Sequence, residues 1–380
     1  MGRLWKLEQG VKRFDSEPSE GLTSRLEVVD TPIAMRTTII LLGWILMFQA
    51  AGLSALRAAQ PLNVFIWSEY LDPEVVRDFE KQFDAKLTID LYEDAESMLT
   101  KLQSATGAYD IVVPPDHSVP VMVKLGLLTP LRREKIPNFK NLDPRFVSMP
   151  FDPRNEYTVP YQWGTLGIYV RKAPGKPVPD SWSVLFDPAA SIGSFVLIDS
   201  MRDAIGIALK FQGHSLNSVT PSELKSARDL LISTKKRSAA FEGGVGGKNR
   251  VLARTAAAAI AYSGDAVRGM AEDRDTVYVI PKEGSEIAVD NLAIPVRAPH
   301  RDLAEKFINH LLDARVGARI SNFTQFATPN AAAREFVKPE DLRNPAIYPP
   351  AAILDKLEFL TDVGGATRLY DQVWTEVKAR

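Results

Sequence analysis

Between residues 62 and 126 the chain alternates strand-like and helix-like stretches, and the joins are short. No other feature limits the fold as much. Residues 62–66 are an apolar strand. Asp72 and Pro73 then supply an N-cap and a first helical position, and Val75, Val76, Phe79 and Phe83 share one helical face. A strand over 87–91 follows, then a helix capped by Asp94 that carries Met98, Leu99 and Leu102 towards Gly107. A third strand over 109–113 stops at Pro114 and Pro115, and a helix with Val121, Met122 and Leu125 ends at Gly126. Strands joined by helical crossovers lie parallel in a sheet covered by helices. Such sheets bind ligands beyond the carboxyl ends of their strands. Two of those ends carry usable groups, Trp67-Ser68-Glu69-Tyr70 and Pro115-Asp116-His117-Ser118.

A polar, proline-rich connection over 129–156 leads to a long β-type run over 157–170. A second α/β series follows. Its expected strands are 193–198, 256–262, 277–280 and 291–295. Helices are expected from Asp199 to Gln212, from Pro221, after Ser263-Gly264-Asp265, around Leu303 to Leu311, and in the tail around Leu369, Val373 and Val377. The expected architecture is therefore two α/β lobes. One spans 60–163 with about 283–320, the other 164–282 with about 321–380. The chain passes between them near 157–170 and 277–295. Several crossovers between two lobes describe a hinged clamp with its ligand in the cleft.

Composition removes several function classes. Lys and Arg number 46 against 47 Asp and Glu, so the net charge of −1 does not favour a nucleic-acid partner. There is no cysteine, which excludes disulfides, thiolate metal sites, cysteine nucleophiles and a cysteine-linked lipid anchor. The four histidines are scattered, so neither a metal site nor a cofactor is expected. Residues 242–248 resemble a phosphate loop only superficially. Asn249 follows Lys248 where a hydroxyl side chain is required, and a flexible surface loop is the better expectation.

Residues 39–48 are apolar but too short to span a bilayer, which needs about 20. Arg36 precedes them and small residues follow, so 35–59 reads as a secretory signal peptide. The mixed-charge stretch 1–34 is unlike a signal n-region. It is expected to be an upstream extension, with translation beginning at Met35.

At Phe65-Ile66-Trp67-Ser68-Glu69-Tyr70 the sequence resembles the periplasmic spermidine/putrescine-binding proteins of ABC transporters. The likeness covers about 60–380. It includes residues 108–114, 141–144, 150–153, 159–164, 262–266, 290–295 and 328–330, in order and at matching spacing. It implies a type II periplasmic binding protein whose lobes close on a polyamine and deliver it to an inner-membrane permease without catalysing a reaction. It further implies a periplasmic location and a monomer.

By the same resemblance, Trp67, Ser68, Glu69 and Tyr70 fall on the first binding loop, and Asp203 lies where the family has a glutamate. Tyr262 and Asp265 match an aromatic and a ligand-facing aspartate, and Asp290 matches an aspartate before a strand. Asp116 and His117 occupy a further binding loop. Each also has a plainer reading: core packing for Trp67, a solvated acid for Glu69, a first-turn acid for Asp203, a cap for Asp265, a solvated loop for His117. Three positions depart from the family. Pro115 replaces a serine, residues 287–289 lack a large aromatic, and Ser200 stands where an acid is frequent. Two alternatives remain open. One is an amino acid or opine as cargo, with Arg202 pairing its carboxylate. The other is a secreted hydrolase.

Overall fold

The computed structural model describes residues 59–190 and 192–380, so the expectations for 1–34 and for 35–58 lie outside the described residues. Strand β1 (Gln60–Trp67) pairs in parallel with β2 (Ala85–Tyr92) and β3 (Ile111–Val112). Helix α1 (Pro73–Phe83) starts where the Asp72 carboxylate accepts the Glu74 N–H at 2.8 Å, and it buries Val75 and Phe79. Helix α2 (Ala95–Ser104) is capped by Asp94, which accepts the Ser97 N–H. Helix α3 (Val119–Lys124) follows the short third strand. That strand is cut short by Pro114 and Pro115, which have no N–H to continue a ladder.

The 14-residue strand β4 (Thr158–Arg171) is buried up to its last residue. Next come β5 (Phe195–Ile198), α4 (Met201–Phe211), α5 (Pro221–Lys235), β6 (Ala240–Glu242), α6 (Gly244–Leu252), β7 (Ala258–Tyr262), α7 (Ser263–Glu272) and β8 (Thr276–Val279). Strand β9 (Ile287–Ala293) and helices α8 (Arg301–Leu311), α9 (Ala314–Thr324) and α10 (Thr367–Ala379) complete the principal elements. The strand order is β2-β1-β3-β9-β4-β7-β5-β6, with β8 also on β4.

β4 serves both halves of this order. Its first part, Thr158 to Thr165, pairs antiparallel with β9. Its second part, Leu166 to Arg171, pairs antiparallel with β7 and β8. The outer strands are parallel, as βα alternation requires, and the antiparallel pairs lie where the chain crosses between lobes. Two apolar cores sit on either side. One packs Leu62, Phe79, Ile111 and Leu292 against Phe307 and Ile320. The other packs Leu166, Phe195, Ile205 and Leu224 against Tyr370 and Val377.

The glycine-rich stretch differs from expectation. It is not a surface loop: Gly244–Leu252 is helix α6, with Gly244, Gly247 and Lys248 buried. The glycines permit close approach. A methyl group on Gly247 would press against the Ala259 side chain on β7, and one on Gly244 would run into the Asp265 carboxylate and the Tyr262 ring.

Candidate functional site: an acidic cleft between the lobes

A cleft with about 730 Å³ of atom-free space, open mouth included, lies at the strand ends of both lobes. Trp67, Ser68 and Tyr70 reach it from the end of β1, and His117 from the turn after β3. Asp203 and Gly244 come from the first turns of α4 and α6, and Tyr262 and Asp265 from the junction of β7 with α7. Glu286, Ala288 and Asp290 line it from the crossover into β9. Successive strand residues point to opposite faces, so these three, two apart, share one face.

Asp290 is the best supported of the acids. Its Oδ1 accepts the Trp67 indole N–H at 3.1 Å and its Oδ2 accepts the Tyr70 hydroxyl at 2.6 Å. Burial nevertheless pushes its carboxyl up to about 7, against the pull of those two donors. The Tyr70 ring packs edge-on against Phe326, which also lines the cleft.

On the second lobe the Tyr262 hydroxyl donates to Asp203 Oδ2 at 2.5 Å. Glu286 lies within hydrogen-bonding reach of Asp203 and is only 3% exposed, and its Oε2 has no partner. Burial, and then the Asp203 charge, drive the Glu286 carboxyl well above the ordinary range. The charge that this end of the cleft calls for is a cation.

Asp265 faces the cleft and also accepts from the Arg268 guanidinium at 2.5 Å. Burial raises its carboxyl to about 6 even beside Arg268 and Lys248. Glu69 sits nearby at φ +54°, a left-handed conformation uncommon for a glutamate. Its Oε2 accepts from Lys248 at 2.9 Å and from Arg268 at 2.8 Å, so one carboxylate of the first lobe meets two cations of the second. Burial opposes ionisation of Glu69, but the two cations prevail and hold its carboxyl below the usual value.

The model for the bacterial extracellular solute-binding proteins matches residues 74–349. The chain belongs to that family. Among its relatives, the spermidine/putrescine-binding periplasmic protein of Salmonella typhimurium is 34% identical over 87% of this chain and 95% of its own length. The putrescine/cadaverine-binding protein of Pseudomonas aeruginosa is 31% identical, covering 87% of this chain and 97% of the relative. The solved spermidine/putrescine ABC transporter substrate-binding protein of Streptococcus pneumoniae superposes with a TM-score of 0.71 at 28% identity, covering 84% of this chain and 99% of that one. The fold is that of the two-lobed type II binding proteins, and members of this family bind solutes rather than catalyse reactions.

Within this solute-binding protein, eight of the ten expected site residues line the cleft: Trp67, Ser68, Tyr70, His117, Asp203, Tyr262, Asp265 and Asp290. Two do not. Glu69 turns to Lys248 and Arg268. Asp116 is buried and ties its own loop to β9, accepting the His117 N–H at 2.6 Å and the Val289 N–H at 3.1 Å. Arg202, the candidate partner for a cargo carboxylate, donates to the Thr361 carbonyl and to Asn217, and stacks on Tyr370. Glu286 was not expected at all. The sequence pattern starts this strand at Asn291, which leaves Glu286 off the face of Asp290. Extending the two-residue period back from Asp290 is the signal that finds it.

Proposed function

We propose that this solute-binding protein captures a polyamine in the cleft and delivers it to an inner-membrane ABC permease. One observation carries the reading: Asp203, Glu286 and Asp290 are buried, or nearly so, around a cleft whose described lining holds no Lys or Arg. Uncompensated buried carboxylates are costly, and a bound cation removes that cost. An ammonium group brings up to three donors and no acceptor, which suits carboxylate walls. Trp67, Tyr70, Tyr262 and Phe326 give the methylene stem apolar faces and cation–π contacts, about 0.5–2 kcal/mol each. The printed names of the relatives, spermidine/putrescine-binding and putrescine/cadaverine-binding, support the same cargo class.

Cargo that touches both lobes favours the closed state by its differential affinity, and the permease then receives the closed form. The proposal includes export to the periplasm by the signal segment, a monomeric state, no cofactor and no nucleic-acid partner. It places the division between lobes within β4, near 163–164, and in the return crossover near 283, with about 321–380 completing the second lobe. No helix among the described residues is long and apolar enough to cross a membrane. An amino acid or opine is less well matched, because Arg202 is committed elsewhere and the described lining holds no guanidinium for a carboxylate.

Thermal unfolding of the exported protein, stripped of cargo by refolding, tests the class. Ligand at a hundred times its dissociation constant stabilises the fold by about 2.7 kcal/mol. Putrescine, cadaverine, spermidine, spermine or agmatine should therefore raise the midpoint by about 5 °C or more. A rise with amino acids and with no polyamine overturns the reading.

A further inference from the structure

We propose that Glu286 is a ligand-contacting carboxylate that, together with Asp203, makes the cleft select cations with three charged nitrogens over those with two. The inference rests on the polyamine reading above and assigns a role to a residue outside the sequence-derived site. Glu286 is 3% exposed, it lines the cleft, and its Oε2 meets no donor. A glutamate in a solely structural role would spend that oxygen on a neighbouring N–H or a guanidinium. The Arg202 guanidinium, whose charge acts on Glu286, gives its terminal N–H groups to the Thr361 carbonyl and Asn217.

Charge balance sets the selectivity. Asp265 already has Arg268 as its counter-ion. The remaining acids inside the cleft are Asp203 and Glu286, both buried, and Asp290, half-buried; each is served only by neutral donors or by none, while Glu93 in the lining is exposed to solvent. A dication supplies a partner for only two of these carboxyls on ionisation. A trication balances all three, and a closed, desolvated cleft favours that balance. Sterically, the neighbour of Glu286 on the cleft face is only Ala288. No bulky side chain at that position stands between the carboxylate and a ligand. Ser200, also in the lining, brings a neutral hydroxyl, so Glu286 supplies the second acid beside Asp203.

Calorimetric titration of the exported protein with putrescine and with spermidine at pH 7.5 tests this, comparing wild type with Glu286→Gln and Glu286→Asp. Wild type should bind spermidine the more tightly. Glu286→Gln should weaken spermidine at least tenfold and putrescine less than threefold, without lowering the unfolding midpoint of the empty protein. Glu286→Asp should retain part of the preference. Equal losses for both amines with a lowered midpoint would make Glu286 structural, and an unchanged ratio would remove it from the site. Either result overturns the proposal and leaves the polyamine reading intact. Wild type that binds neither amine overturns both.

Discussion

Asp290 shows how one side chain joins the two demands on the cleft. It must be held in place when the cleft is empty and ionised when cargo arrives. The Trp67 and Tyr70 donors do the first, and a bound cation does the second. Asp290→Asn keeps the shape but removes the charge, and should weaken polyamine binding at least tenfold, about 1.4 kcal/mol, in a titration. The pH dependence follows from the same groups. Folding raises Asp290 to about 7 and Asp265 to about 6 from an ordinary 3.8, so the folded empty protein holds extra protons between about pH 4 and 7. The contribution of these acids to stability is full below about pH 4 and is lost as pH rises through 6 and 7. A melting series across pH 4.5–8 should show this decline in the empty protein and a flatter slope in Asp290→Asn. An identical slope in both proteins would show that Asp290 is ionised throughout. Residues 67–70 and 116–117 were legible as strand ends, whereas Asp203, Asp265 and Asp290 were legible through the family resemblance. The direction of Glu69 was not, because its partners Lys248 and Arg268 lie 179 and 199 residues away.

Among the elements, helix α6 is the one whose sequence misleads most. Glycines lower helix propensity by about 1 kcal/mol each relative to alanine, so three within Gly244–Gly247 read as a loop. Tertiary packing reverses that preference, since only a glycine lets the helix start against Asp265 and Tyr262. Gly244→Ala should therefore displace those two side chains and weaken polyamine binding several-fold, with helix content by circular dichroism retained. Unchanged affinity would mean that the wall of the cleft tolerates the methyl. By contrast, the starts of α1 and α2 were legible to the residue, because Asp72 and Asp94 cap them locally. Strand β3 keeps two of the expected five residues, and Pro114 and Pro115 bound it only on its C-terminal side.

For the whole molecule, the two-lobed plan was visible in the repeated βα alternation. The antiparallel crossing of β4 and β9 was not, because pairing across more than 110 residues leaves no local pattern. That crossing makes both lobes share one strand, and the Glu69 ion pairs span the gap beside it. Both cations are largely buried, so these pairs are screened less than surface ion pairs and bias the open–closed equilibrium towards the closed form. Small-angle scattering should find the empty Glu69→Gln variant with a larger radius of gyration than empty wild type, with polyamine restoring the compact value. Equal radii would deny the ion pairs any part in closure.

On the proposed function, the cleft binds a polycation through carboxylates that are partly protonated when it is empty. Titration of the exported protein with spermidine in two buffers of different ionisation enthalpy, at pH 5.5 and pH 7.5, tests it most directly. Binding should be tighter at pH 7.5, and protons should be released on binding at the lower pH. Binding that is independent of pH, with no proton released, would contradict it.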